Sequence, residues 1–173
     1  MVSYGNRGMA FENLVEITNK QYFNQGVAVI QKIATPVKVR KIDRAGRIRD
    51  GWYEKKSTVD FIGTSNGRGI AFDAKSTRER TRFNLDNVSD HQVTFLKKYH
   101  EQGGISFLLV QFTKHHQVYV LPFHKFFEWW ENAMVGGRKS IPHDWFVENC
   151  DTVKSKNGYV LHYLDVIFKD KVS

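Results

Sequence analysis

Residues 105–112, Ile-Ser-Phe-Leu-Leu-Val-Gln-Phe, form a run that is almost entirely apolar. This composition is typical of a strand in the interior of a sheet, where the side chains on both faces lie in a core. Segments in which apolar residues recur at helical spacing occur before and after this run. The sequence therefore predicts an α/β fold in which a mixed central sheet is flanked by helices.

Glycine positions divide much of the remaining chain into candidate elements. Gly26, Gly103-Gly104 and Gly136-Gly137 follow segments of helical character and are expected to end three helices. The predicted helices cover 8–25, 88–102 and 124–134. The predicted strands cover 27–33, 35–42, 57–65, 70–76, 105–112, 117–123 and 158–167. The 173 residues contain no internal repeat, and a single domain over 1–173 is expected.

The charge balance points to a partner. Lysine and arginine number 26 against 18 acidic residues, a net charge of +8 that favours nucleic acid, with a basic protein that binds none as the alternative. Cys150 is the only cysteine, which fits a reducing, cytoplasmic location. No apolar run reaches the roughly 18 residues needed to cross a bilayer, and no signal peptide is evident, so no membrane association is expected.

Positive charge is concentrated between Lys38 and Lys56, where eight basic residues accompany three acidic ones. Such a basic segment with few core residues is expected to project from the body, as a stalk at about 40–56. Trp52 and Tyr53 are expected to anchor the base of this stalk in the core, and stacking on unpaired bases is the alternative.

Asn66-Gly67 lies between two strand-like segments and predicts a type I′ hairpin turn. That turn places Asp60 directly opposite Asp73 and Thr58 opposite Lys75, with all four side chains on one face. Opposed carboxylates raise each other's proton affinity and destabilise the hairpin unless a cation such as Mg²⁺ binds them. The alternative is a solvated hairpin face with an Asp–Lys ion pair, and the hairpin alone does not decide between the two.

The two strands of this hairpin resemble the PD-(D/E)xK nuclease signature, with "STVDF" followed by "FDAK". Further stretches in the same order resemble the RecU family of Holliday junction resolvases and cover nearly the whole chain. They are "RGMAFE" (7–12), "AVIQKIATPVKV" (28–39), "STVDFIG" (57–63), "IAFDAKST" (70–77), Phe83-x-Leu85-x-Asn87, "HQ" (91–92), "GGISF" (103–107), "VYVLP" (118–122) and "GGRKSI" (136–141).

The resemblance implies a restriction-endonuclease-like core and a dimeric, Mg²⁺-dependent endonuclease that nicks four-way DNA junctions symmetrically, with Mn²⁺ as a substitute and recombination proteins as partners. Another DNA nuclease of the same superfamily, or a DNA-binding or strand-annealing protein with little catalysis, is the alternative. The implied metal ligands are Thr58, Asp60, Asp73 and Gln92, and the implied catalytic residues are Lys75, Asp60, Asp73 and Glu12. Two departures are that Asp73 replaces the family's usual glutamate and that "VLHYLDV" replaces an arginine-containing C-terminal stretch.

Two of these residues also have a simpler structural interpretation. Ser89-x-x-Gln92 fits a capping box, in which Gln92 bonds back to the start of its own helix. Glu12 fits a solvated helix surface, as most glutamates do.

The basic residues are expected to contact phosphates, which position a protein on DNA without reading its sequence. The expected contacts are Arg44, Arg47, Arg49, Lys55, Lys56, Arg78, Arg80 and Arg82. Arg78, Arg80 and Arg82 alternate on one side of a segment expected to be extended, and a solvated edge that deters strand pairing is the alternative. His115 and His116 are interpreted as turn residues of a hairpin and not as metal ligands, because they have no partners at ligand spacing.

Overall fold

The structure, a computed structural model, describes residues 4–35, 37–53 and 58–169. The helices are α1 (Tyr4–Asn24), α2 (Asp90–Glu101), α3 (Phe123–Met134), α4 (His143–Asn149) and α5 (Tyr163–Ile167), with a 3₁₀ turn at Leu85–Asn87. The strands are β1 (Ala28–Lys32), β2 (Val37–Ile42), β3 (Ile48–Tyr53), β4 (Phe61–Ser65), β5 (Arg68–Thr77), β6 (Arg82–Asn84), β7 (Ile105–Phe112), β8 (Gln117–Pro122) and β9 (Ser140–Pro142). Within the described ranges, no helix is long and apolar enough to span a membrane.

Five strands form a central sheet in the order β1-β4-β5-β7-β8. The pair β5–β7 is parallel and the other three pairs are antiparallel, so the sheet is mixed. Helix α2 forms the crossover between the parallel strands, as a parallel connection requires. The predicted α/β class, with a mixed sheet between helices, is confirmed.

The sheet separates two hydrophobic cores, and successive residues of β7 alternate between them. Phe107 and Leu109 pack with α1 and α5, whereas Leu108 and Val110 pack with α2, α3 and α4. Phe107 to Val110 are all at most 1% exposed. The apolar run that predicts an interior strand therefore reflects burial on both faces.

The β4–β5 hairpin has the predicted register, with Ser65 paired to Arg68 and Phe61 paired to Phe72. Asn66 and Gly67 have φ values of 50° and 70°, as both central residues of a type I′ turn require. The strand prediction extends too far at its start, because β4 begins at Phe61. Val59 packs in the core beside α2 whereas Phe61 packs in the core beside α1. The alternation expected before Phe61 is therefore broken.

Strands β2 and β3 form a separate two-stranded sheet, and the side chains of β2 are exposed along its whole length. Arg44 and Arg47 lie in its tip, where both are exposed. Trp52 is 54% exposed, so the prediction that it anchors this segment in the core is wrong. The predicted contacts Lys55 and Lys56 lie outside the described residues.

The strand predicted over 158–167 is wrong. This segment contains one turn, an isolated bridge between Lys156 and Tyr159, and the short helix α5. The reason is that side chains of α1 take up its backbone N–H groups in place of a neighbouring strand. Leu161 N donates to Thr18 Oγ1 at 3.1 Å, and Leu164 N donates to the Tyr22 hydroxyl at 3.3 Å.

Candidate metal centre

Asp60 and Asp73 are linked by reciprocal hydrogen bonds at the open end of the β4–β5 hairpin. Asp60 N donates to Asp73 Oδ1 at 2.8 Å, and Ala74 N donates to Asp60 Oδ2 at 2.9 Å. Asp73 thus binds the backbone N–H of the residue just before β4, and Asp60 binds a backbone N–H within β5. These bonds hold the two carboxylates together, as the hairpin register predicts.

Asp73 is fully buried, and its two carboxylate oxygens differ. Oδ1 accepts from Asp60 N and also from Gln92 Nε2 at 3.1 Å. Oδ2 is buried and has no hydrogen-bond partner among the described residues. A buried carboxylate oxygen without a partner is costly, so this atom is suited to bind a cation or carry a proton.

Burial raises the pKa of Asp73 to about 7. Lys75 opposes this rise, and the adjacent Asp60 carboxylate adds to it. A group that releases a proton near neutral pH, on a site with an unpartnered oxygen, can exchange that proton for a metal ion.

Gln92 connects Asp73 to Lys75. Its Nε2 donates to Asp73, while its Oε1 accepts from Lys75 Nζ at 3.2 Å and from Ser89 N at 3.1 Å. The orientation of the amide follows from these partners, because the ammonium and the backbone N–H can only donate and the carboxylate accepts. The carboxylate, amide and lysine therefore form one network.

The bond between Gln92 and Ser89 is the capping box predicted at the start of α2, and that prediction is confirmed. Gln92 also donates to Asp73, so the amide that caps the helix lies beside the acidic pair. Because the same amide caps α2 and binds Asp73 of β5, the position of α2 against β5 affects the geometry of the site.

The donor set fits Mg²⁺. Within the described residues, no group of three or more histidine, cysteine or acidic side chains is placed to hold a metal ion. Mg²⁺ often binds through only one or two protein carboxylates and fills its other positions with water and substrate phosphate oxygens. Asp60 and Asp73 are sufficient for that mode and insufficient for a closed protein cage.

Two predicted site residues stand apart from this network. Thr58 is exposed, lies before β4, and takes part in none of the hydrogen bonds just described. Glu12 Oε2 forms an ion pair with Lys32 Nζ at 2.9 Å, and Glu16 binds the same ammonium at 2.9 Å. Glu12 is therefore not a simple solvated side chain. It lies at the Asp60 end of the sheet, because Lys32 is paired with Phe61.

The segment 78–82, which we call the arginine strap, leaves β5 three residues after Lys75. Arg78, Arg80 and Arg82 are all exposed. The segment is bent at Arg80 and Thr81, so the expectation that it is extended throughout is wrong. Arg82 enters β6 and pairs in register with Pro142 of β9. The strap therefore begins close to the metal centre and ends in a small second sheet.

The predicted basic contacts Arg44, Arg47 and Arg49 lie on the β2–β3 hairpin. Arg49 Nε donates to Asp43 Oδ2 at 2.8 Å, and Asp43 Oδ1 accepts Arg47 N at 2.9 Å. The Asp43 carboxylate thus shapes the tip, as an aspartate at the start of a turn commonly does. Arg49 is partly neutralised by this pair, whereas the Arg44 and Arg47 side chains are exposed at the tip.

Sequence reasoning missed the environment of His115. Its ring stacks on His143, with centroids 4.0 Å apart and planes at 11°. The two residues belong to different elements, and neither has a motif that would pair it with the other. Lys32 was missed for a similar reason, since only the packing of α1 on β1 brings it between Glu12 and Glu16.

The chain is a mixed α/β protein in which one carboxylate just before β4, a second on β5 and a lysine two residues beyond the second resemble the arrangement of a PD-(D/E)xK site. The profile of the family "Recombination protein U" (RecU) matches residues 6–169. The chain belongs to that family.

Relatives support this assignment. The chain is 35% identical over 170 residues to the Holliday junction resolvase RecU of Pediococcus pentosaceus, covering 96% of this chain and 85% of that protein. It is 38% identical over 168 residues to the Holliday junction resolvase RecU of Staphylococcus carnosus, covering 94% and 76%. A solved structure of Hjc from Archaeoglobus fulgidus, a Holliday junction resolvase, gives a TM-score of 0.43 at 9% identity over 78% of this chain and 92% of that one. That likeness is too weak to support an argument.

Proposed function

We propose that this protein is a Mg²⁺-dependent endonuclease that resolves four-way DNA junctions by paired nicks. The observation that carries the proposal is the buried Oδ2 of Asp73, which has no hydrogen-bond partner among the residues that the structure describes and lies beside Asp60 and Lys75. The family assignment supplies the substrate class, since the relatives named above are Holliday junction resolvases.

The site supports phosphodiester hydrolysis. A divalent cation held by Asp60 and Asp73 would draw charge from the scissile phosphate and lower the pKa of the attacking water. Lys75 points to the same side of β5 as Asp73, and its ammonium is available to stabilise negative charge that develops on the phosphate. Gln92 fixes Lys75 relative to Asp73. Glu12 remains a proposed catalytic residue, held near this end of the sheet by its ion pair with Lys32.

The proposed DNA contacts lie in two places. The arginine strap follows the catalytic strand directly, so Arg78, Arg80 and Arg82 are suited to contact phosphates beside the scissile bond. Arg44 and Arg47 at the tip of the β2–β3 hairpin are suited to contact a second part of the same branched substrate. Recognition by phosphate contacts predicts binding that weakens steeply with salt.

We also propose a homodimer. A four-way junction offers two equivalent strands, and a two-fold symmetric protein would place one site on each. Exposed apolar side chains on the β2–β3 hairpin support this, because such residues commonly mark a protein contact. They are Val37, Val39, Ile42, Ile48 and Trp52. The molar mass in solution, from light scattering, tests the dimer independently of cleavage.

The test of the function compares a labelled mobile four-way junction with a linear duplex, with and without Mg²⁺. We expect symmetric nicks in the junction only, and only with Mg²⁺ or its substitute Mn²⁺. Asp60→Asn and Lys75→Ala should bind the junction without cutting it, whereas the exposed controls Asp151→Asn and Lys98→Ala should cut normally.

The outcomes separate the alternatives. Equal cutting of linear duplex would indicate a different nuclease on the same fold. Junction binding without any cutting in either metal would indicate a DNA-binding or strand-annealing protein. Unchanged cutting by Asp60→Asn and Lys75→Ala would overturn the assignment of the site. Recombination proteins as partners remain a prediction from the family resemblance, and a cytoplasmic location remains a prediction from the single cysteine.

A further inference from the structure

Two histidines hold the backbone of the arginine strap at consecutive residues. His115 Nε2 lies 2.8 Å from the Arg80 carbonyl oxygen, which can only accept, so His115 carries its hydrogen on Nε2 and donates it. The backbone N–H of His143 donates to the next carbonyl, that of Thr81, at 2.9 Å. Both bonds fall at the bend of the strap, between Arg78 and Arg82.

The two histidines also support each other. Their stacked rings pack beside Phe112, whose centroid is 4.8 Å from that of His143. His143 Nε2 is 3.1 Å from Gln117 Oε1, which also accepts from the Tyr119 hydroxyl at 2.8 Å. The stack is thus fixed to β8 on one side and to the strap on the other.

The His143 ring is suited to remain uncharged. Burial lowers the pKa of His143, and the neighbouring His115 lowers it further, while the exposed Asp144 opposes both. His115, with its hydrogen on Nε2, holds the Arg80 carbonyl, and an uncharged His143 does not repel the ring that stacks on it.

We propose that His115 is a positioning residue for DNA binding, and that with His143 it holds the arginine strap in the shape that contacts the phosphate backbone of the junction. This inference rests on the proposed function, because it assumes that the strap contacts DNA. A strap whose backbone is ordered before binding loses less conformational freedom when it binds DNA, so the bond increases affinity without touching the DNA.

The test measures the Kd of the full-length protein for a fluorescent four-way junction without divalent metal, and then KM and kcat with Mg²⁺. His115→Ala should raise Kd by about fivefold, which corresponds to about 1 kcal/mol. The effect should fall on KM more than on kcat. His115→Gln keeps an N–H donor near the Nε2 position and should recover most of the affinity. His116→Asn is the matched control, because asparagine tolerates the positive φ of that neighbouring residue, and it should behave as wild type.

A double-mutant cycle that combines His115→Ala with a strap variant, in which Arg78, Arg80 and Arg82 are all changed to Gln, separates this inference from the function on which it rests. The strap variant should weaken binding, and His115→Ala should add little in that background, since both act through the same three contacts. Full additivity of the two changes, or wild-type affinity of His115→Ala while the strap variant is weak, overturns the positioning role alone. Wild-type affinity of the strap variant overturns the phosphate contacts and the positioning role together. Cleavage by the wild-type protein reports on the proposed function separately.

Discussion

Gln92 donates to the Asp73 carboxylate at 3.1 Å from the same amide that caps α2. One side chain therefore fixes the start of a helix and orients the buried acid of the adjacent strand. Because Lys75 donates to the same amide, a change at Gln92 affects helix stability, the acidic pair and the lysine together.

Gln92→Ala should lower both stability and metal affinity. It removes half of the capping box and leaves one fewer donor to a buried carboxylate, which should cost about 1–2 kcal/mol of unfolding free energy. Urea denaturation measures the stability, and calorimetric titration with Mg²⁺ or Mn²⁺ measures the affinity. Lys98→Ala, at an exposed position of α2, is the control. A loss of stability without a change in metal affinity would show that Gln92 is only a cap.

Metal-free stability should fall as pH rises between about 4 and about 7. Asp73 has an ordinary pKa of 3.8 and a folded pKa of about 7, so the folded chain holds the extra proton within this window. The unfolding free energy should decrease by at most about 1.4 kcal/mol per pH unit there and level off above it. Denaturation at several pH values with a chelator present measures the slope.

The matched variant for this slope is Asp73→Asn, whose amide does not titrate, so the variant should lose the Asp73 contribution to the slope. Above pH 7, saturating Mg²⁺ should raise the unfolding free energy of the wild-type protein, since the metal replaces the lost proton. The unfolding free energy of Asp73→Asn should not change. A wild-type profile as flat as that of the variant would contradict burial as the cause of the shifted pKa.

Asp73→Glu, which introduces the family's usual residue, should destabilise this protein. Asp73 is 0% exposed and bonded through Oδ1 to two groups, so an added methylene must displace Gln92 or the Asp60 backbone. Overpacking of this kind costs about 1–3 kcal/mol. Thermal denaturation and Mg²⁺ titration measure the outcome. Equal or higher stability would show that the pocket already accommodates the longer side chain.

Tyr22→Phe should weaken the attachment of the C-terminal segment. The Tyr22 hydroxyl accepts from Leu164 N at 3.3 Å and contacts His162 Nδ1 at 3.0 Å, both within a buried interface. Leaving these groups unpaired should cost about 1–3 kcal/mol. Tyr99→Phe is the control, because the Tyr99 hydroxyl makes no hydrogen bond among those of the described residues. Hydrogen exchange of residues 160–167 should rise in Tyr22→Phe alone, and equal rates in both variants would count against the interface.

The hairpin could be derived from the sequence because its cause is local. Asn66-Gly67 demands positive φ at both turn residues, and the turn fixes which residues of the strands are opposed. The register thus brings Asp60 to Asp73 without information about the rest of the fold. The capping box at Ser89 and Gln92 is local for the same reason.

The prediction of a strand over 158–167 is wrong because the sequence pattern is ambiguous and the segment's hydrogen-bond partner, α1, is distant in the chain. Alternating apolar residues over 158–167 suit a strand, but the polar side chains of α1 offer hydrogen bonds to the same backbone. The prediction that Trp52 is buried is wrong for a similar reason, since an aromatic residue is buried only where other elements pack around it.

The sequence by itself determined the layered α/β class, the hairpin register, the pairing of the two acids and the family, because these follow from short-range backbone preferences and from motifs. Only the tertiary structure decided that Oδ2 of Asp73 is left without a partner in the described part of the chain, that Lys32 forms an ion pair with Glu12, and that His143 stacks on His115 behind the arginine strap. Those relationships join residues far apart in the chain, and packing against a common sheet is the physical cause that brings them together.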